Sequence, residues 1–210
     1  MSSIPIQLVR TGTGELADAA LQLDLHPNRL KEVEAVWGPD RRAAIRRLVK
    51  DGFPSEKIPR HWHWDWTAKS QKLKFLAYRC FGIECDGEMQ GLMMMDIASR
   101  FAKLSPDVGK QLVYVDYLEA APWNVRPLTD KPRLSGVGVV LMRAAVQLSI
   151  DEGFRGRLGL HSLPQAEEFY RDKCGMRFLE NDPHYEDLPY YEFSRKSAKT
   201  FVEAVRGGVT

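Results

Sequence analysis

The chain has 210 residues, a net charge of +2, 44 % hydrophobic residues and 28 % charged ones. Such values belong to an ordinary globular protein with room for one sizeable core, and they require neither a nucleic-acid nor a membrane partner. No apolar run approaches a membrane span, residues 1–20 lack the basic-then-apolar pattern of a signal peptide, and the three cysteines lack metal spacing. Reduced thiols and a cytoplasmic location are therefore expected.

Ile4 to Val9 reads as a strand closed by the turn cluster Thr11-Gly12-Thr13-Gly14. Glu15 to Leu25 and Asn28 to Trp37 read as helices parted by His26-Pro27. Asp40 reads as the N-cap of a further helix, Arg41 to Lys50, with Ala44, Ile45, Leu48 and Val49 toward a core. The basic residues Arg41, Arg42, Arg46, Arg47 and Lys50 read as its solvated face.

An extended His61-Trp62-His63-Trp64-Asp65-Trp66 would set His61, His63 and Asp65 on one side and the three tryptophans on the other. Two imidazoles and a carboxylate could hold a metal. No further ligand cluster supports that, and an aromatic wall, bordering a substrate pocket, is the favoured reading.

Lys72 to Glu84 and Met89 to Ile97 are β-rich runs around Asp86-Gly87, the residue pair of a tight hairpin turn. Met93, Met94 and Met95 read as core packing. Gln111 to Ala121 is the next strand, and alternation sends its carboxylates, Asp116 and Glu119, to opposite faces.

Lys131-Pro132-Arg133-Leu134-Ser135-Gly136-Val137-Gly138 follows, and then Leu141, Ala144, Ala145 and Leu148 recur at helical spacing up to Gly153. Gly136 and Gly138 let the backbone turn tightly against a bulky group. A glycine turn feeding a helix N-terminus offers free N–H groups and a positive dipole end to a phosphate or pyrophosphate, with Arg133 as an added cation. Arg157 to His161 reads as a strand, and Pro164 to Lys173 as a short helix stopped by Gly175. Arg177 to Leu179 and Tyr190 to Phe193 form a last hairpin pair with a polar, mobile connection at Asn181–Pro189. A short helix is expected at Ala198–Val205 in the tail.

Strand, Arg-x-x-Gly-x-Gly, long helix, strand, then a short helix with Phe-Tyr and Gly resembles the GNAT N-acetyltransferase superfamily. Arg133 to Gly138 is similar to that family's acyl-CoA pyrophosphate loop, and Ala166 to Met176 to its later block carrying tyrosine and glycine. The resemblance covers roughly residues 70–195. It departs in a longer loop from Pro122 to Arg133, and in Leu163, which stands where an asparagine is common.

The resemblance implies an α/β (α+β) fold with a mixed, mostly antiparallel central sheet flanked by helices. The chain would be one domain: a helical N-terminal part (1–70), an acyl-CoA-binding core (71–195) and a tail (196–210). It implies transfer of an acetyl group from acetyl-CoA to a primary amine of a small molecule or a protein, with no metal. Arg133, Leu134, Ser135, Gly136, Val137 and Gly138 would hold the pyrophosphate, and the strand end with Leu118 and Ala120 the pantetheine arm. Tyr170 would be the general acid, with Asp116, Glu119 or His161 as the base. Residues 1–60 and His61–Trp66 would cover the acceptor side, and a homodimer is common in such a family. The alternative is a GNAT-like module that binds acyl-CoA or a partner without turnover.

Overall fold

A computed structural model describes residues 2–207, with side chains to residue 204, so residues 208–210 of the expected tail lie outside the described residues. In chain order the elements are β1 (Ser3–Arg10), β2 (Leu16–Gln22), α1 (Pro27–Lys50), α2 (Trp66–Lys69), β3 (Tyr78–Cys85) and β4 (Glu88–Asp96). There follow β5 (Val113–Ala120), β6 (Leu134–Ser135), α3 (Val137–Asp151), β7 (Leu158–His161), β8 (Arg177–Asp182), β9 (Leu188–Phe193) and α4 (Arg195–Gly207). The strands form a nine-stranded sheet in the order β6-β1-β2-β3-β4-β5-β7-β9-β8. It is mostly antiparallel, with β5 and β7 parallel. The residues group into two compact units: one up to Leu76 with Cys80–Leu92 and Glu119–Gly138, the other Ala77–Arg79, Met93–Leu118 and Val139 onward.

In the first unit, Leu16–Gln22 is a strand and not the start of a helix. Its Ala- and Leu-rich sequence favours helix locally, but the turn after β1 folds it back in register from Ser3↔Gln22 to Val9↔Leu16. β3 then pairs its other edge, from Ala19↔Cys85 to Gln22↔Gly82, and Ala17 and Leu21 are buried beside Leu8. Tertiary pairing overrides propensity here.

The two helices expected at 28–50 are one helix of 24 residues that runs through Pro39. Pro27 sits at its first position, and the His26 ring, not Asp40, accepts from the Asn28 N–H at 3.3 Å. Leu30, Val33, Trp37, Arg41, Ala44 and Leu48 are buried along one stripe that stays in phase across Pro39. Burial on both sides outweighs the one backbone hydrogen bond that proline removes.

His61–Trp66 is not extended. Arg60–His63 is a 3-10 turn, and Asp65 caps α2 by accepting from the Thr67 and Ala68 N–H groups at 2.7 and 3.2 Å. Among the described residues no group of three or more His, Cys, Asp or Glu could hold a metal. Ser70–Lys74 is likewise a 3-10 turn, so β3 starts later than its hydrophobic run suggests. Asp86 and Gly87, both left-handed at φ 54° and 76°, make the two-residue turn into β4.

In the second unit, β5 and β7 pair from Val113↔Leu158 to Val115↔Leu160. Met93, Met94 and Met95 are fully buried. The expected short helix is a 3-10 turn (Pro164–Ala166) followed by a π turn (Phe169–Lys173), stopped by Gly175 at φ 70°. The connection expected to be mobile is built: β8 extends to Asp182, whose carboxylate caps the turn Pro183–Tyr185 by accepting from the His184 N–H at 2.9 Å.

Candidate active site

The glycine turn is braced from the N-terminus. β6 pairs with β1 at Val9↔Ser135 and Arg10↔Leu134, and Thr11 donates its N–H to the Arg133 carbonyl at 3.1 Å. Gly136 adopts φ 91°, a backbone state that disfavours any residue with a Cβ. Val137 is buried and anchors the turn, whereas Ser135 is exposed and Gly138 half-buried. Leu134 does not offer its N–H to a ligand: it donates to Asn124 Oδ1 at 3.0 Å. The donors left to an anion are those from Gly136 onward, where the first N–H groups of a helix lack intrahelical acceptors. Arg133 lies over the Trp123 ring, 5.0 Å from its centre, and reaches Glu88 at 3.1 Å. That pair is exposed, so a phosphate can replace Glu88 at little cost.

Glu119, near the C-terminal end of β5, is interior. Its Oε1 accepts from Arg41 Nη1 at 2.8 Å and its Oε2 from the Trp66 indole at 2.7 Å. Arg41 also donates to Glu34 at 2.8 Å and to the carbonyls of Trp62 and Trp64. His61 Nε2 stands 3.9 Å from Glu119 Oε1. Burial pushes the Glu119 carboxyl up to about 7, with Arg41 and the indole holding it back. Burial and Arg41 together press His61 down to about 4. Arg41 is thus no part of a solvated face, and a cation inside the apolar stripe of α1, seven residues after Glu34, is the sequence signal for it.

In the second unit, β5 runs on through Asp116–Leu118 beyond its last pair with β7. At that divergence the Tyr114 hydroxyl meets His161 Nδ1 at 2.6 Å, and His161 Nε2 meets Asp182 Oδ2 at 3.2 Å. Tyr185 stacks on the imidazole at 4.1 Å, and Arg100 donates to the Tyr185 hydroxyl. Both His161 nitrogens are engaged, so this ring is not presented as an open base. Burial lowers its pKa, Asp182 opposing. None of Tyr114, Asp182 and Tyr185 stands out in the sequence, because their relation exists only once β5, β7 and the turn after β8 are assembled. Asp116 is half-buried, as are Leu118 and Ala120. Tyr170 is buried beside Phe169, and burial raises its phenol above the ordinary value.

No protein-family model matches the chain, and no curated protein sequence does. Solved structures do. RimJ of Mycobacterium smegmatis, in complex with CoA-disulfide, is 14 % identical over 98 % of this chain and 95 % of that one, with a TM-score of 0.51. FeeM, an N-acyl amino acid synthase from uncultured soil microbes, is 11 % identical over 90 % and 97 %, with a TM-score of 0.53. The aminoglycoside acetyltransferase AAC(6')-Ib, in complex with coenzyme A and kanamycin, is 17 % identical over 87 % and 98 %, with a TM-score of 0.51. At these identities the likeness is one of fold alone, the α/β fold that these three structures share with the chain.

Proposed function

We propose that the chain is an N-acyltransferase that moves an acetyl group from acetyl-CoA to a primary amine. The observation that carries this is the continuation of β5 through Asp116–Ala120 past its ladder with β7, which offers a strand edge to an extended, amide-bearing arm. Leu118 and Ala120 lie on that segment. The turn at Gly136, with Val137, Gly138 and Arg133, suits the pyrophosphate.

The chemistry needs a base and an acid. Asp116 shares a strand face with Tyr114, at the divergence marked by His161, and takes the proton of the attacking amine. Glu119 is instead turned inward, since both of its oxygens already accept hydrogen bonds from Arg41 and Trp66. The amine nitrogen bonds to the thioester carbon, the C–S bond breaks, and Tyr170 gives its proton to the departing sulfur. A phenol kept neutral by burial retains the proton it must deliver. Kanamycin in the AAC(6')-Ib complex and the amino acid named for FeeM both supply amines, which supports an amine acceptor here.

The test is calorimetry with acetyl-CoA followed by product analysis on a panel of amines. Binding near −8 kcal/mol, roughly micromolar, that disappears in Gly136→Asp with Gly138→Asp is expected, together with acetylated product. Binding without product from any amine would favour a non-catalytic acyl-CoA module. No binding to folded protein would remove both.

A further inference from the structure

A cavity of about 530 Å³ opens in the second unit, lined by Asp107, Arg157, Arg177, Arg195, Lys196 and Ser197 among others. Arg157 immediately precedes β7, Arg177 opens β8, and Arg195 to Ser197 form the first turn of α4. The cavity is thus at the entry to β7, whereas the β5–β7 divergence lies at its exit, roughly 13 Å along the strand.

Its charges do not balance. Asp107 Oδ1 is already shared by Lys110 at 2.9 Å, Arg157 at 3.8 Å and Arg195. Glu192, the other lining carboxylate, is spent on the N–H groups of Lys103 and Leu104, at 2.6 and 2.9 Å, and on the Tyr190 hydroxyl at 2.8 Å. Arg177 and Lys196 have no ion-pair partner among the described residues, and Arg195 Nε is buried without an acceptor there. Arg195 and Lys196 moreover stand at the positive end of a helix whose first turn holds no acidic residue, where cations are disfavoured. Burial first, and then the like charges of Arg195 and Arg155, hold the Arg157 guanidinium below its ordinary value, with Asp107 opposing.

We propose that this cavity binds a small phosphate-bearing molecule, held by Arg157, Arg177, Arg195 and Lys196 at a site separate from the transfer edge. Guanidinium forks match pairs of phosphate oxygens, and the volume fits a small metabolite. The assignment does not depend on the acyltransferase reading.

The probes are inorganic pyrophosphate and ribose 5-phosphate, titrated calorimetrically into the full chain carrying Gly136→Asp and Gly138→Asp, which close the glycine turn to phosphate, with the cavity wild type, with Arg177→Gln and Lys196→Gln, or with Arg46→Gln. Arg177, Lys196 and Arg46 are exposed, and circular dichroism checks the fold. The wild-type cavity should bind at least one probe, the tighter one telling a free phosphate species from a phosphomonoester. The double variant should bind about a hundredfold more weakly, about tenfold for each cation removed from the phosphate. Arg46→Gln, on the exposed side of α1, should bind as the wild-type cavity does. No heat from either probe with the folded wild-type cavity, binding that survives the double variant, or binding abolished in Arg46→Gln would each overturn the proposal.

Discussion

Glu119 and His61 give the buried cluster on α1 two opposed responses to pH. The fold raises the Glu119 carboxyl from 4.5 to about 7, so between those values the folded chain holds a proton that the unfolded chain releases. Stability therefore falls as pH rises through that window, by about 3 kcal/mol in all. The fold lowers His61 from 6.5 to about 4, so there the unfolded chain holds the extra proton. Stability rises between about pH 4 and 6.5, again by about 3 kcal/mol. In the wild type the two nearly cancel, and the cluster stays close to neutral around Arg41 and Glu34. Glu119→Gln should leave the His61 response alone, so stability climbs by about 3 kcal/mol from pH 4 to 6.5. His61→Gln should leave the opposite slope, a loss of about 3 kcal/mol from pH 4.5 to 7. Urea denaturation of the three proteins across pH 4–8 measures both, since background from other carboxylates is common to all. Three parallel profiles would refute the coupling.

Tyr170→Phe should lower the transfer rate by about a hundredfold while acetyl-CoA affinity holds, measured by steady-state kinetics beside calorimetry; an unchanged rate removes Tyr170 from the chemistry. Gly136→Ala should cost about 1 kcal/mol in urea denaturation, because φ 91° disfavours a Cβ, and it should weaken acetyl-CoA binding. Asp182→Asn removes the carboxylate that holds the His161 pKa up, so the imidazole should titrate at lower pH by NMR. A shift upward would mean that Asp182 does not face the ring.

Much of the sheet was legible because its signals are local. Asp86-Gly87 carries its own turn geometry, the run from Val113 to Leu118 is β-forming at nearly every position, and Gly136 announces a left-handed turn before a helix. Leu16–Gln22 was not legible, since its residues prefer helix and only β1 and β3 make it a strand. Pro39 misled for the converse reason: a local helix breaker was carried by a buried stripe on either side. At the candidate site, the placement of Asp116 and Glu119 on a strand and of Tyr170 just before the Gly175 stop was legible. What Glu119 touches was not, because Arg41, Trp66 and His61 come to it from 78, 53 and 58 positions away and no spacing encodes that.

Bracing by β1 also governs when the glycine turn can form as the chain assembles. Thr11 and Pro132, joined by a hydrogen bond from the threonine hydroxyl, lie 121 positions apart. Closing a loop of that length costs about 4 kcal/mol of chain entropy, a cost met only when the intervening strands are already in place. The turn should therefore order late in folding, and its N-terminal partner must wait through the synthesis of more than half the chain. Ligand binding at that turn would then report completion of the unit rather than local structure. A variant weakened anywhere in β1, β2 or β3 would lose it while most of its helix content persisted.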